Sequence, residues 1–199
     1  MKETKDKIIL KALQYFAEHD YQTVSLNSIA KGIGITKGGI YHYFSSKDEL
    51  FLECMIAVVD KMKEFSLGSM NENIELEEVL SALFSFDNIF KIMADSFDID
   101  FMDNYYNYSY MIFVGMKKFP RFREMISELY VEMQHGLEFM FLAYAEKGLI
   151  RKDINYKLLS FELIALVEGA ILVAGFSTEI DLVEVGKDIV SSTLERVSM

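Results

Sequence analysis

One cysteine, one proline and no tryptophan occur in 199 residues, and no arginine precedes Arg121. The lone Cys54 excludes an intramolecular disulfide and any zinc site built on cysteines, and it fits a reducing compartment. A single proline leaves room for long unbroken helices. Cations are scarce: 20 Lys+Arg stand against 31 Asp+Glu, a formal charge of −11. Taken whole, that balance speaks against the basic footprint of a nucleic-acid binder. An early apolar run is missing too, so no signal peptide is expected. The most apolar stretch, 158–176, carries Glu162 and Glu168, each costly at a bilayer centre, and reads as a buried helix rather than a membrane span. No nucleophile–base pair, metal-ligand spacing or cofactor loop is visible. No catalytic residue, metal or cofactor is therefore expected, and the chain reads as something other than an enzyme.

What is present is globular and helical. Hydrophobic residues make up 51% and charged residues 26%, enough to bury a core without staples. Apolar residues recur at helical spacing and strand-like alternation is scarce. A first helix is predicted over 5–19, with Ile9, Ala12, Leu13, Phe16 and Ala17 on one stripe. Ser25 suits an N-cap for a short helix carrying Leu26, Ile29, Ala30 and Ile33. Gly34 suits a left-handed stop, and Thr36 suits the cap of a second short helix over 37–44. Ser46 and Glu49 have capping-box spacing ahead of a helix over 47–65. Further helices are predicted near 75–96, 99–118, 120–147, 155–176 and 181–197, with Pro120 at a first helical position and Gly148 at a C-cap. The fold class is all-α, with about nine helices.

The charge is unevenly spread. Residues 1–50 hold seven lysines and six acids, a net of +1, whereas residues 51–199 hold 13 basic and 25 acidic residues, a net of −12. Such asymmetry suggests parts with different tasks. The division is drawn as a domain over 1–50, with a connecting helix over 47–65, and a second domain over 51–199.

Residues 25–44 read as two short helices joined by a tight glycine turn, the helix-turn-helix arrangement. Stepping 100° per residue from Lys37 places Ile40 and Phe44 on one buried face and Gly38, Gly39, Tyr41 and His42 away from it. Glycine costs about 1 kcal/mol against alanine in a helix, so two in eight residues call for a reason. Close backbone approach to another molecule is one. The superficial phosphate-loop spacing of Gly32, Gly34 and Gly38 lacks a preceding strand and is rejected. His19 and His135 stand apart from any ligand set and read as structural, and Cys54 lies on an apolar stripe.

The run from Tyr21 through Ser25-Leu26-Asn27-Ser28-Ile29-Ala30, Gly34, Tyr41-His42-Tyr43-Phe44 and Lys47-Asp48-Glu49-Leu50 resembles the DNA-binding domain of TetR-family bacterial transcriptional regulators. The likeness covers about residues 5–52. It implies an N-terminal three-helix DNA-binding domain and a C-terminal helical bundle for ligand binding and dimerisation. It implies phosphate contacts from Ser25, Thr36, Tyr41 and Lys47, and base or near-base contacts from Lys37, Gly38, Gly39 and His42. It further implies a homodimer placing two such helices about 34–36 Å apart on a palindromic operator. A small-molecule effector would release the protein, so the expected partners are double-stranded DNA, the effector and a second copy, with no membrane, in the cytoplasm. Without arginine, Lys37 would stand in for guanine readout.

Segment 84–113 holds ten aromatic residues and five Asp opposed by Lys91 alone. Aromatic faces with carboxylates suit an organic cation, and the 12 methionines suit a hydrophobic ligand. The candidate pocket residues are Met62, Phe90, Met93, Phe97, Phe101, Tyr105, Tyr108, Phe113, Met133, Leu137 and Phe141. Small residues such as Ala165 and Gly169 permit close helix approach, and the resemblance places the dimer interface on the last two helices, at Leu158, Phe161, Ala165, Gly169, Leu172, Val173, Ile189 and Leu194. Two other readings stay open: an all-helical enzyme with a DNA-binding appendage, and a ligand-independent protein that uses DNA as an anchor.

Overall fold

The computed structural model describes residues 2–68, 74–99, 105–177 and 179–199, with side chains for 3–65, 74–99, 109–177 and 179–199. These residues form ten helices and no strand: α1 (Lys2–Glu18), α2 (Leu26–Gly32), α3 (Lys37–Tyr41), α4 (Lys47–Gly68), α5 (Leu76–Leu83), α6 (Phe86–Phe97), α7 (Tyr105–Lys118), α8 (Pro120–Glu146), α9 (Tyr156–Phe176) and α10 (Leu182–Val197). The chain packs as two compact units. One comprises residues 1–61 and 90–126, the other 62–89 and 127–199.

In the first unit the buried face of α1 is Ile8, Ala12, Leu13, Phe16 and Ala17, with Ile9 only half-buried. This stripe meets Leu26, Ile29, Ile40, Phe44, Leu50, Phe51 and Cys54 in one core. Phe16, Tyr21 and Phe51 pack at ring separations of 4.7 to 5.7 Å, the edge and offset geometries that the ring quadrupole favours. Cys54 is fully buried, its thiol donating to the Ile9 carbonyl at 3.5 Å, and burial pushes its pKa up. The thiol is a core group.

In the second unit Phe84, Phe86, Leu137, Phe141, Tyr144, Leu159 and Leu163 are buried, and the Tyr144 hydroxyl donates to the Ile74 carbonyl at 2.5 Å. One helix was expected over 75–96, and two are found. A continuous helix would put Phe84 and Phe86 200° apart. Both are buried and meet edge-on at 6.1 Å, which requires the axis to break between them. Ser85 stabilises the break by donating its hydroxyl to the Ala82 carbonyl at 2.8 Å.

The break is packed against α10. A Cβ built on Gly186 would run into the carbonyl oxygen of Phe84, backbone that cannot swing aside. Gly186→Ala is therefore expected to destabilise the second unit by about 1–3 kcal/mol, the usual cost of overpacking. Urea unfolding followed by circular dichroism would read the loss as a lowered midpoint at constant slope.

α9 corrects a second expectation. The stretch 158–176 was read as a buried helix, yet only one of its faces is buried, through Leu159, Ser160, Leu163 and Ile164. The opposite face carries Leu158, Phe161, Leu172 and Phe176, exposed by 51, 59, 46 and 75%. By length and composition α9 could cross a bilayer, though Glu162 and Glu168 interrupt it.

Candidate nucleic-acid interface

The helix-turn-helix is built by local chemistry. Ser25 is extended and its Oγ accepts from the Ser28 amide at 3.1 Å, opening α2. The helix stops at Gly34, which has φ +73°. There the Gly34 amide donates to the Lys31 carbonyl at 3.3 Å and the Ile35 amide to the Ala30 carbonyl at 3.0 Å. That crossed pair is the Schellman stop, which needs a left-handed residue. Gly148 ends α8 in the same way, at φ +72°. Thr36 then opens α3, its Oγ1 accepting from the Gly39 amide at 3.1 Å. α3 ends at Tyr41, three residues earlier than expected, as the amide of Tyr43 turns back to the Ile40 carbonyl at 2.9 Å. Ile40 and Phe44 are nonetheless both buried.

What α3 leaves outside is Lys37, Gly38, Tyr41 and His42, all exposed, with Gly39 half-exposed. The Lys37 ammonium lies 5.6 Å from the Tyr41 ring centroid. Nothing inside the chain asks for the two glycines. Neither has a positive φ, and a Cβ would meet its nearest neighbour at 3.7 Å on Gly38 and 3.5 Å on Gly39, ordinary van der Waals contact. The missing methyls therefore leave free space on the outer surface of α3.

α4 opens as a modified capping box. Ser46 Oγ accepts from the Glu49 amide at 3.1 Å, while the Glu49 carboxylate accepts from the amide and hydroxyl of Ser45, one residue earlier than the usual partner. The Ser45 hydroxyl holds the Glu49 carboxyl below its ordinary range.

Lys47 turns inward. Its ammonium donates to the carbonyls of Tyr21, Gln22 and Val24 at 2.8, 3.3 and 3.0 Å. An ammonium has three donors, and here all three are engaged. A phosphate contact from Lys47 would compete with these bonds. Burial, and then the neighbouring charge of Lys118, lower its pKa.

Beside it lies a cluster that sequence reading missed. The Tyr21 hydroxyl donates to Asp48 Oδ1. Lys118, at the end of α7, reaches the same oxygen at 2.7 Å and the Tyr21 hydroxyl at 3.1 Å. The Lys118 bond, then the Tyr21 bond, hold the Asp48 carboxyl below the usual carboxylate range. Asp48 and Tyr21 in turn raise the Lys118 pKa, and burial raises that of Tyr21. Residues 21, 48 and 118 share no period, so no spacing could have revealed them.

The other candidate residues are distributed as follows. Of the pocket set, Phe90, Met93, Phe97 and Phe113 belong to the first unit, where Met93 and Phe97 are buried and Phe113 is exposed. Met62, Met133, Leu137 and Phe141 belong to the second, where Leu137 and Phe141 are buried. Phe101 and the side chains of Tyr105 and Tyr108 lie outside the described residues. Of the interface set, Leu158, Phe161, Ala165, Leu172 and Val173 are exposed, and Gly169, Ile189 and Leu194 are half-buried. At 100° per residue the α9 members other than Val173 fall within an 80° sector opposite the buried face. Glu168 borders that sector and accepts from the Tyr130 hydroxyl at 2.7 Å; desolvation raises its carboxyl pKa, which the hydrogen bond partly offsets.

Known proteins show the same division between a recognisable head and a less recognisable remainder. Residues 8–54 match the family described as bacterial regulatory proteins, tetR family. The biofilm operon icaADBC HTH-type negative transcriptional regulator IcaR of Staphylococcus epidermidis is 28% identical over 82 residues, 41% of this chain and 44% of that protein. The chain thus spans less than half the length of this curated relative. Over the full length only the fold is shared. A Saccharomonospora viridis protein solved in complex with choline superposes at a TM-score of 0.77 with 16% identity, covering 100% of both chains. The transcriptional regulator FadR of Bacillus subtilis, solved in complex with stearoyl-CoA, gives 0.66 with 18% identity over 93% of this chain and 95% of that one. Residues 8–54 are thus similar to the tetR family of bacterial regulatory proteins, and the rest of the chain shares the fold of the solved regulators.

Proposed function

We propose that the protein is a homodimeric transcription regulator that binds a palindromic operator and is released by a small-molecule effector, a repressor acting in the cytoplasm. The observation that carries the DNA reading is the outer face of α3. Two glycines there give up helix stability with no internal need for their missing methyls. A partner that must come close to the backbone supplies the reason, and a phosphate or base edge is such a partner. Lys37, Gly38, Gly39 and His42 are assigned to bases, and Ser25, Thr36 and Tyr41 to phosphates. The Thr36 hydroxyl accepts from its own helix, which leaves its proton for a phosphate oxygen, whereas the Ser25 hydroxyl lies 2.6 Å from that of Ser28 and would exchange this bond for a phosphate. The reading domain is taken as residues 1–50 and the effector and dimer domain as residues 51–199.

The dimer is assigned to the unpartnered apolar sector of α9, flanked by α10. Choline and stearoyl-CoA, bound by two proteins of this fold, represent the quaternary-ammonium class that the aromatic and Asp content of segment 84–113 suits and the acyl class that the 12 methionines suit. The effector is assigned to one of these classes and leaves unchanged, so the protein is read as having no enzymatic activity.

Enrichment of duplexes from a random-sequence pool tests this reading. The full-length protein should enrich a palindrome, and Lys37→Ala should bind it about tenfold or more weakly, with altered preference at the bases it faces, since a good base contact is worth about 1–3 kcal/mol. A pool that stays random after selection would overturn the DNA assignment.

A further inference from the structure

We propose that Lys118, at the end of α7, is a positioning residue for DNA reading, because its ammonium ties together the two ends of the helix-turn-helix through Tyr21 and Asp48. The inference rests on the DNA reading above.

Residues 25–46 form a loop of chain whose two ends meet at its base. The segment leading into α2 starts at Tyr21, and the chain leaves through the first turn of α4 at Lys47 and Asp48. The base is closed twice. Lys47 donates to the carbonyls of Tyr21, Gln22 and Val24, which closes it from within. The Tyr21 hydroxyl on Asp48 closes it again. Lys118 is the member of this cluster that comes from outside the reading domain, binding Asp48 at 2.7 Å and the Tyr21 hydroxyl at 3.1 Å. Two ammonium groups approach the Tyr21 ring centroid, Lys47 at 4.4 Å and Lys118 at 4.5 Å.

Each anchor is stiff. Tyr21 is buried against Phe16 and Phe51. The backbone of Lys118 sits at the corner between α7 and α8, where the Phe119 amide donates to the Gly115 carbonyl at 2.9 Å and Pro120 starts the next helix. Phe119 packs 6.0 Å from Phe51. The corner is therefore seated on the same aromatic cluster as the loop it holds.

The Lys118–Asp48 pair is partly exposed, with side-chain accessibilities of 35 and 48%. Pairs of this kind contribute little to stability. The expected effect of Lys118 is on geometry: it fixes the angle at which α2 and α3 leave their base, and with it the fit of Lys37, Gly38, Gly39 and His42 to a base sequence.

The test compares Lys118→Met and Lys118→Arg in the full-length protein. The probes are a duplex enriched from a random pool by the parent protein and a scrambled duplex of equal composition. Lys118→Met should weaken binding of the enriched duplex about fivefold, the lower end of ordinary coupling between sites. It should leave the scrambled duplex, the salt dependence and the melting temperature unchanged, while Lys118→Arg should bind as the parent does. An equal loss on both duplexes with a shallower salt dependence would mean that Lys118 touches phosphate itself, and would overturn the proposal. So would unchanged affinity, or a loss that follows a lowered melting temperature. A parent protein that enriches no duplex would overturn the DNA reading first, before any variant is compared.

Discussion

The double variant Gly38→Ala, Gly39→Ala should melt higher than its parent and hold its DNA about a hundredfold less tightly. The two effects have opposite signs for one reason. Inside the protein both methyls have room, at 3.5 Å or more from any neighbour, on a backbone with no positive φ. Alanine then gains helix propensity of up to about 1 kcal/mol per site. For a chain of this size, each kcal/mol raises the melting temperature by about 2–4 °C. Outside the protein the same methyls occupy the surface between Lys37, Tyr41 and His42. They would hold the backbone away from DNA and weaken several contacts together, each worth about 1–3 kcal/mol. Scanning calorimetry and fluorescence anisotropy on the same preparation would read both signs. Higher melting with undiminished binding would place the DNA elsewhere.

On the proposed dimer and palindromic operator, Phe161→Glu should yield a monomer and remove tight binding to the palindrome. Phe161 is 59% exposed in the single chain and lies at the edge of the sector shared with Leu158, Ala165, Leu172 and Phe176, on the side that Glu168 borders. A contiguous apolar patch of this kind marks an interaction surface. A carboxylate there costs the monomer little, since it stays in water. In the dimer it would be buried in an apolar contact, on the side of the sector bordered by Glu168, whose carboxyl desolvation already pushes towards the neutral form. Sedimentation should show a monomer with the parent's circular dichroism. Binding to a two-half-site duplex should fall about a hundredfold or more, because the second half-site is no longer held at high effective concentration. A variant that remains dimeric would remove α9 from the interface.

Much of this was legible from local signals. Caps and stops act within four residues, so Ser25, Gly34, Thr36, Pro120 and Gly148 announced their roles in the linear chain. Ile40 and Phe44 followed from helical spacing alone. The break between α5 and α6 did not, because it depends on Gly186, about a hundred positions away, leaving room for the Phe84 carbonyl. The two faces of α9 were hidden for another reason: both are apolar, so periodicity had no contrast to report. Lys47 is the clearest case of partners that residue type does not announce. A lysine beside a DNA-reading helix suggests phosphate, yet its partners are three carbonyls whose convergence only folding creates. The Tyr21–Asp48–Lys118 cluster joins residues 27 and 70 positions apart and left no trace in any window.

The pairing of the lysines within the chain also sets the tempo of any encounter with DNA. Lys5 is held by Glu53, Lys7 by Glu3, Lys11 by Gln14, and Lys47 by the chain itself. A dimer would carry twice −11, or −22, facing a polyanion. Such a protein gains little attraction at a distance and displaces few counterions on arrival, so its collisions with DNA are unsteered, near the rates of about 10⁵–10⁶ M⁻¹s⁻¹ typical of neutral partners. It would slide poorly along non-cognate sequence. Discrimination then falls to the departure step: the operator is distinguished by how long the protein stays, not by how often it comes.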